Sequence, residues 1–331
     1  MKKRLLSGMR PTGKLHLGHL VGALGNWVGL QKEYECFFMI ADWHAFMSEY
    51  ENPQNLREYI YDNLIDWLAA GLDPKQCTIF VQSQVPQHLE LYMSFSALTP
   101  LGWLERCPTY KEQMRELKDR HIATYAFLGY PVLQAADICL YGANVVPVGE
   151  DQLPHLELTR EIVRKFNGMY DDIFPEPKPL LTEVSRLLGL DGRKMSKSYD
   201  NAIALSDSED VVAKKAQTMF TDPKRVRKSD FGRPDVCNVY QYFEVFAPQL
   251  KDEARGWCQG AQRGCTECKK ILGESLADYL KPLQERRKEL ALNRQKLDEI
   301  LEAGRKNASR IAHATMEKVR EHMGFLSCPI K

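Results

Sequence analysis

Leu5-Leu6-Ser7-Gly8-Met9-Arg10-Pro11-Thr12-Gly13-Lys14-Leu15-His16-Leu17-Gly18-His19 is the stretch from which the chain is best read. Two leucines lead into a Gly/Pro turn, the mark of a short strand that stops abruptly. From Gly18 onward Leu20, Val21, Leu24, Trp27, Val28 and Leu30 recur near helical spacing. The same alternation continues along the chain. Residues 36–41 form a compact apolar run, expected as a buried parallel strand. Asn52-Pro53 opens a helix that runs to Ala70, where Gly71 stops it. Residues 78–82 form the next strand, Pro86 starts another helical stretch, residues 144–149 form a further strand and residues 156–166 a helix. Strands alternating with helices predict the α/β class with a doubly wound, Rossmann-like parallel sheet.

Past Asn201 the strand signals fade, and residues 211–220, 240–250, 272–291 and 294–323 all read as helices. A single core stops growing at roughly 250–300 residues, so a chain of 331 is expected to form two domains. The boundary divides an α/β domain, 1–201, from a helical domain, 202–331, whose last helix has the length to pack back on the first domain. With 44% hydrophobic and 27% charged residues the composition is globular rather than disordered or fibrous. Forty-five Lys plus Arg against forty-four Asp plus Glu leave a net charge of +1. That excludes a wholly basic protein that coats nucleic acid, but not a local basic patch. No apolar run reaches the roughly 18 residues of a membrane span. The start, Met1 to Leu6, looks like a signal peptide until Ser7-Gly8-Met9-Arg10-Pro11 ends its apolar run. The expected compartment is the cytoplasm, where thiols stay reduced.

Two short stretches carry the chemistry. Residues 11–19 lie between the first strand and the first helix, where an open α/β sheet binds its ligand. The helix N-terminus offers free N–H groups and partial positive charge for phosphate, Gly13 and Gly18 permit close approach, and His16 and His19 add two donors. Two histidines three apart are also ordinary helix-capping or surface residues. Neither a G-x-G-x-x-G nor a P-loop motif is present, which counts against the common dinucleotide and NTPase sites. The second stretch is Gly192-Arg193-Lys194-Met195-Ser196-Lys197-Ser198. Its ammonium and hydroxyl groups suit a polyphosphate whose charge redistributes, although a solvated Lys/Ser loop has the same composition.

Taken together the two stretches resemble the signatures of class I aminoacyl-tRNA synthetases. His16-Leu17-Gly18-His19 is similar to "HIGH", and residues 194–198 match "KMSKS" letter for letter. Their order and separation resemble the compact tyrosyl/tryptophanyl branch, and the resemblance covers essentially the whole chain. Val146-Pro147-Val148-Gly149-Glu150-Asp151-Gln152, followed by His155, Glu157 and Arg160, resembles a block of the tryptophanyl members, as does Gly129-Tyr130-Pro131-Val132-Leu133-Gln134-Ala135-Ala136-Asp137.

The resemblance implies a tryptophan–tRNA ligase that uses ATP with Mg²⁺. A tyrosine–tRNA ligase of the same branch and a tRNA-binding paralogue without catalysis are the alternatives. It implies that His16 and His19 serve the ATP phosphates and ribose face, and that Lys194 and Lys197 hold the leaving pyrophosphate. The same ATP site would include Arg10, Pro11, Thr12, Gly18, Gly149, Glu150, Asp151, Leu187, Met195, Ser196 and Ser198. Tyr130, Gln134, Asp137 and Gln152 would take tryptophan, with Asp137 accepting from the indole N–H. For Asp137 the other reading is a helix-surface carboxylate, which its neighbours Ala135, Ala136, Ile138 and Leu140 disfavour. Arg10, His19 and Gln134 depart from the usual Gln, Asn and Met of bacterial relatives. tRNA(Trp) and a second copy of the chain are the implied partners.

Four of the nine cysteines, Cys237, Cys258, Cys265 and Cys268, fall within 32 residues at the spacing C-x20-C-x6-C-x2-C. Four thiolates ending in C-x-x-C suit Zn²⁺ or an iron–sulfur cluster, and spacing alone does not separate them. The resemblance to a subgroup of tryptophanyl synthetases implies a 4Fe-4S cluster with a structural role. Cys36, Cys77, Cys107, Cys139 and Cys328 read as small core residues. Residues 193–233 carry ten Lys or Arg against six Asp or Glu. Within them Lys224, Arg225, Arg227 and Lys228 lie beside Phe231, a pattern suited to RNA phosphates and stacked bases as well as to a solvated loop.

Overall fold

The computed structural model describes residues 2–116, 121–181, 187–193, 195 and 199–326, and the side chain of Glu116 is not described. The chain divides into two compact units, one of residues 1–12, 26–183 and 293–331, the other of residues 13–25 and 184–292. The first stretch of elements is β1 (Arg4–Met9), α1 (Leu17–His19), a π-helical turn (Leu20–Leu24), α2 (Gly25–Glu33), β2 (Glu35–Ile40), α3 (Asp42–Glu49), α4 (Leu56–Ala70), β3 (Cys77–Val81) and α5 (Gln87–Leu98). There follow α6 (Leu101–Glu105), α7 (Pro108–Glu116), α8 (Tyr125–Leu140), β4 (Val145–Val148), α9 (Leu153–Met169) and β5 (Lys178–Leu181). The remainder is helical: α10 (Glu209–Thr218), α11 (Asn238–Phe246), α12 (Lys251–Gln259), α13 (Cys265–Ala291) and α14 (Arg294–Met323).

Among the described residues the first unit is built on a five-stranded sheet of order β3-β2-β1-β4-β5, and every pairing is parallel. The chain therefore lays β1, β2 and β3 toward one edge, then crosses back to add β4 and β5 on the other side of β1. That reversal opens a crevice at the strand C-terminal ends between β1 and β4, where ligands of such sheets bind. β2 has no polar alternation because helices cover both faces. Successive side chains point oppositely, so Phe38 stacks on Trp27 of α2 at 4.6 Å while Phe37 stacks on Tyr141 at 5.0 Å. Trp67 of α4 meets Trp27 edge-on at 5.0 Å. Each such buried ring contributes about 2–3 kcal/mol of apolar transfer relative to exposure.

The local signals hold where the sequence is explicit. Gly71 ends α4 with φ +115°, a left-handed cap that favours glycine, and Thr124 opens α8 by accepting from the Phe127 N–H. The elements not legible beforehand are short or weakly patterned: α3, α6, α7, α12 and β5. β5 is a mostly exposed edge strand, so it carries no apolar run, and an edge tolerates its Pro179. α14 belongs to the first unit. There Asn307 donates to the Thr78 hydroxyl at 2.8 Å and Arg320 binds Glu90 of α5 through two 2.6 Å hydrogen bonds.

In the second unit α10 and α13 approach closely at Gly273, where a Cβ would stand 3.3 Å from the Ala213 Cα. α11 anchors the segment ahead of residue 194. Tyr242 donates to the Leu188 carbonyl and Asn238 to the Gly189 carbonyl, both at 2.7 Å.

α14 crosses β3 so closely that a Cβ on Gly304 would overlap the Ile79 carbonyl oxygen. Gly304→Ala is expected to cost at least about 1–3 kcal/mol of stability despite its better helix propensity. Chemical denaturation followed by circular dichroism checks this; an unchanged or higher midpoint would contradict the packing.

Candidate active site

At the crevice between β1 and β4 lies a cavity of about 370 Å³. Its walls are mixed: Met39, Phe127, Ile138 and Val146 give apolar surface, and Arg10, His44, Gln134, Asp137 and Gln152 bring polar groups to it. Asp137, on α8, is 2% exposed. His44 approaches Oδ2 at 2.8 Å, while His88 at 2.6 Å and the Gln82 amide at 2.8 Å serve Oδ1. Burial pushes the carboxyl up, but attraction to His88 and the hydrogen bonds from both histidines outweigh it, so Asp137 titrates below the usual carboxylate range. His88 also reaches the Tyr141 hydroxyl at 2.7 Å. A carboxylate accepts about four hydrogen bonds, so three protein donors leave room for one more from the cavity.

Tyr130 lies about two helical turns before Asp137 on α8, and its hydroxyl is 2.7 Å from His155 Nε2. His155 Nδ1 stands 3.1 Å from Gln152 Oε1, and Gln152 Nε2 donates to Asp151 Oδ2 at 3.0 Å. Burial, then His44, lowers His155 to about 4 against the pull of Asp151, so the imidazole is neutral near pH 7. Burial raises the Tyr130 hydroxyl, which stays protonated. A Cβ on Gly149 would stand 2.7 Å from Asp151 Oδ1, so any larger residue there would displace the Asp151 carboxylate. Glu150 and Asp151 are exposed on the turn that follows β4, and Gln134 is half-buried.

The histidine signature lies in the second unit. His16 is the N-cap of α1, and His19 Nδ1 accepts from the His16 N–H at 3.2 Å, with the two rings 3.8 Å apart. The capping role named as an alternative is thus present. The pair is held by β-like contacts of the flanking backbone: Leu17 N–H donates to the Ile203 carbonyl at 3.0 Å and Leu205 N–H to that of Leu15 at 2.9 Å. A Cβ on Gly18 would stand 3.2 Å from the His16 ring and 3.3 Å from Met195 Sδ. One residue of each signature therefore meets across a glycine. The π-helical turn that follows α1 is a feature frequent at functional sites. Lys194, Ser196, Lys197 and Ser198 lie outside the described residues. Leu187 and Pro11 are buried, Thr12 half-buried and Arg10 exposed where it lines the cavity.

The sequence did not point to His44, Gln82, His88 or Tyr141. Gln82 had a usable signal, a polar residue directly after a strand at the ligand-binding end of the sheet. His88 and Tyr141 had none, because a fully buried polar pair inside apolar helices reads as core.

The four clustered cysteines form one neighbourhood in the second unit. Burial raises Cys237, Cys258 and Cys268, the last to about 11, neighbouring cysteines raise each further, and Arg225 draws Cys258 and Cys268 down. Four thiols suit a soft metal, yet among the described residues no three His, Cys, Asp or Glu side chains are gathered closely enough to hold an ion. The expected cluster is not carried by this geometry. Cys36, Cys77, Cys107 and Cys139 are buried as core residues, and Cys328 lies outside the described residues.

Arg225 is not a free phosphate contact. It is 8% exposed and donates to the carbonyls of Asp230 at 2.9 Å and Arg263 at 2.6 Å. Asp230 in turn accepts from the Val226 and Arg227 N–H groups at 3.1 and 2.7 Å. This ties the loop so that Val226 is 85% and Phe231 77% exposed.

Comparison with known proteins is consistent along the whole chain. The family model for class I tRNA synthetases (W and Y) matches residues 1–281. A tryptophan–tRNA ligase of Thermotoga maritima is 48% identical over 98% of this chain and 99% of its own length. One from Aquifex aeolicus is 43% identical over 97% of this chain and 100% of its own. The crystal structure of the Campylobacter jejuni tryptophanyl-tRNA synthetase complexed with ADP and tryptophan superimposes with a TM-score of 0.89 at 33% identity, covering 97% of this chain and 100% of that one. With the sheet reversal and its cavity, and a family match over residues 1–281, this chain belongs to the class I tRNA synthetases of the tryptophan and tyrosine family.

Proposed function

We propose that this protein is a tryptophan–tRNA ligase. It joins tryptophan to AMP with release of pyrophosphate, then transfers the tryptophanyl group to tRNA(Trp). The observation that supports this most directly is the buried Asp137 carboxylate, which lines a cavity that also has apolar walls, with three of its acceptor positions already filled. Indole carries a single N–H and a flat apolar body, and such a site suits both. A buried acceptor left without its donor costs about 1–3 kcal/mol, which disfavours phenylalanine-like side chains.

In the first step the tryptophan carboxylate attacks the α-phosphorus in line, the bond to the bridging oxygen of the β-phosphate breaks, and pyrophosphate leaves. In the second, a ribose hydroxyl at the tRNA 3′ end attacks the acyl carbon and AMP leaves. The protein positions reactants and neutralises charge that moves onto the leaving phosphates. His16, His19 and the stretch 194–198 serve the phosphates. Arg10, Pro11, Thr12, Gly18 and Leu187 serve the nucleotide, and Gly149, Glu150 and Asp151 its ribose. Tyr130 and Gln152 hold the ammonium end of tryptophan and Gln134 lines its pocket. Mg²⁺ accompanies ATP.

We assign the tRNA anticodon to the helical region after residue 202, with Phe231 and Val226 as exposed apolar surfaces among Lys224, Arg227 and Lys228. The cysteine quartet is the proposed seat of a structural 4Fe-4S cluster, or of Zn²⁺, once its thiols are deprotonated. Exposed apolar side chains on neighbouring helices, Leu89 and Met93 of α5, Leu101 of α6 and Tyr125 of α8, support a homodimer. The compartment proposed is the cytoplasm.

Tryptophan-dependent ATP–pyrophosphate exchange tests the reading directly, and exchange driven by tyrosine instead would refute it. Asp137→Ala should raise the tryptophan KM roughly ten- to a hundredfold with the ATP KM little changed. Equal loss of both would remove Asp137 from the indole. Lys197→Ala should slow activation roughly a hundredfold or more while tryptophan binding persists, and an unchanged rate would remove it from the leaving group. Anaerobic purification should yield protein with broad visible absorption and bound iron that Cys268→Ser lacks. Stoichiometric zinc without that absorption would assign the site to zinc instead.

A further inference from the structure

The hydrogen-bond chain beside the cavity has a direction that its members fix among themselves. Asp151 presents a carboxylate, which only accepts, so the side-chain amide of Gln152 must turn its NH₂ toward Asp151 Oδ2 at 3.0 Å. That turns Gln152 Oε1 toward His155 Nδ1 at 3.1 Å, and the ring nitrogen facing a carbonyl oxygen must carry the proton. A neutral imidazole has one N–H, so Nε2 is bare and accepts from the Tyr130 hydroxyl at 2.7 Å. His155 is 1% exposed, Tyr130 is 8% exposed and their rings meet edge-on at 5.2 Å, so neither has water as an alternative partner on that side. The groups facing the imidazole agree with the neutral form. Burial, with His44 next, lowers His155 to about 4, and the opposing pull of Asp151 does not restore it.

We infer that His155 is a positioning residue. By holding one neutral tautomer, it makes Tyr130 spend its only proton inward, so that the Tyr130 hydroxyl presents oxygen lone pairs rather than its proton to the substrate's ammonium, beside the Gln152 carbonyl oxygen. Tyr130, Gln152 and His155 all line the cavity that holds Asp137. The pocket then recognises its substrate at two acceptor points: one for the neutral indole N–H at Asp137, and a pair for the charged alkylammonium at Tyr130 and Gln152. A donor at the second point would repel the ammonium instead. This rests on the reading of the cavity as a tryptophan site and adds the device that selects a protonated amine there.

The test uses two fragments of the substrate with the full chain. Tryptamine keeps the ammonium and lacks the carboxylate; indole-3-propionate keeps the carboxylate and lacks the ammonium. His155→Ala is expected to weaken tryptamine about tenfold or more and to leave indole-3-propionate within about twofold, measured by calorimetry or by inhibition of pyrophosphate exchange. His155→Gln, whose amide offers one acceptor and one donor at similar separation, should recover most of the loss. Tyr130→Phe keeps the ring and removes the hydroxyl, so it provides a variant that folds if His155→Ala does not, and it should show the same selectivity between fragments. The double variant should lose little beyond either single one, because both break one chain. Equal weakening of both fragments, or of neither, would overturn the inference while tryptophan-dependent exchange by the unaltered protein still stood. Absence of that exchange would instead overturn the tryptophan reading itself, and this inference with it.

Discussion

A charge in the interior sets the terms for the first unit. Asp137 is buried, and removing a carboxylate from water costs several kcal/mol unless donors replace the lost solvent. Here they come from three separate places: His44 on α3, Gln82 just past β3 and His88 on α5. His88 is held from behind by Tyr141, which itself stacks on Phe37 of β2. One carboxylate thus ties together the helices on one face of the sheet and the ends of its strands. Removing any single donor would leave part of a buried charge unsatisfied, so the network enforces a single arrangement of the cavity.

The same sheet explains why the cavity is where it is. The chain adds strands outward from β1 on one side, then returns to the other, and the reversal leaves β1 and β4 with diverging connections at their C-terminal ends. α8 feeds β4 and carries Tyr130 and Asp137, while the turn after β4 carries Asp151 and Gln152. These acceptors of the cavity are therefore carried by consecutive elements rather than by long loops.

The second unit solves a different problem, that of backbone approach. His16 and Met195 both come within contact distance of where a Gly18 side chain would begin, and the adjoining segments are joined by backbone hydrogen bonds through Ile203 and Leu205. Further along, Arg225 is spent on the carbonyls of its own loop and of Arg263, which fixes the presentation of Val226 and Phe231. A cation that the sequence offers to RNA is instead the internal brace for the surface that carries Phe231.

The sequence by itself determined the α/β alternation, the helix stop at Gly71, the two signature stretches and the identity of Asp137 as an interior acid. Each of these follows from local pattern: periodicity, a glycine free to adopt positive φ, or a charged residue set among alanines and leucines. Only the tertiary structure decided what surrounds Asp137, because His44, Gln82 and His88 are far from it in sequence and look like ordinary helix or strand-end residues. It also decided that α14 belongs with the sheet, where Gly304 lets it lie against β3, and that residues 13–25 fold with the second unit. The four cysteines show the limit from the other side. Spacing gathers them along the chain, but how closely the thiols approach depends on how α11, α12 and α13 pack, which no spacing encodes. Local rules fix elements; the meeting of distant side chains is set by packing and by the need to satisfy every buried charge.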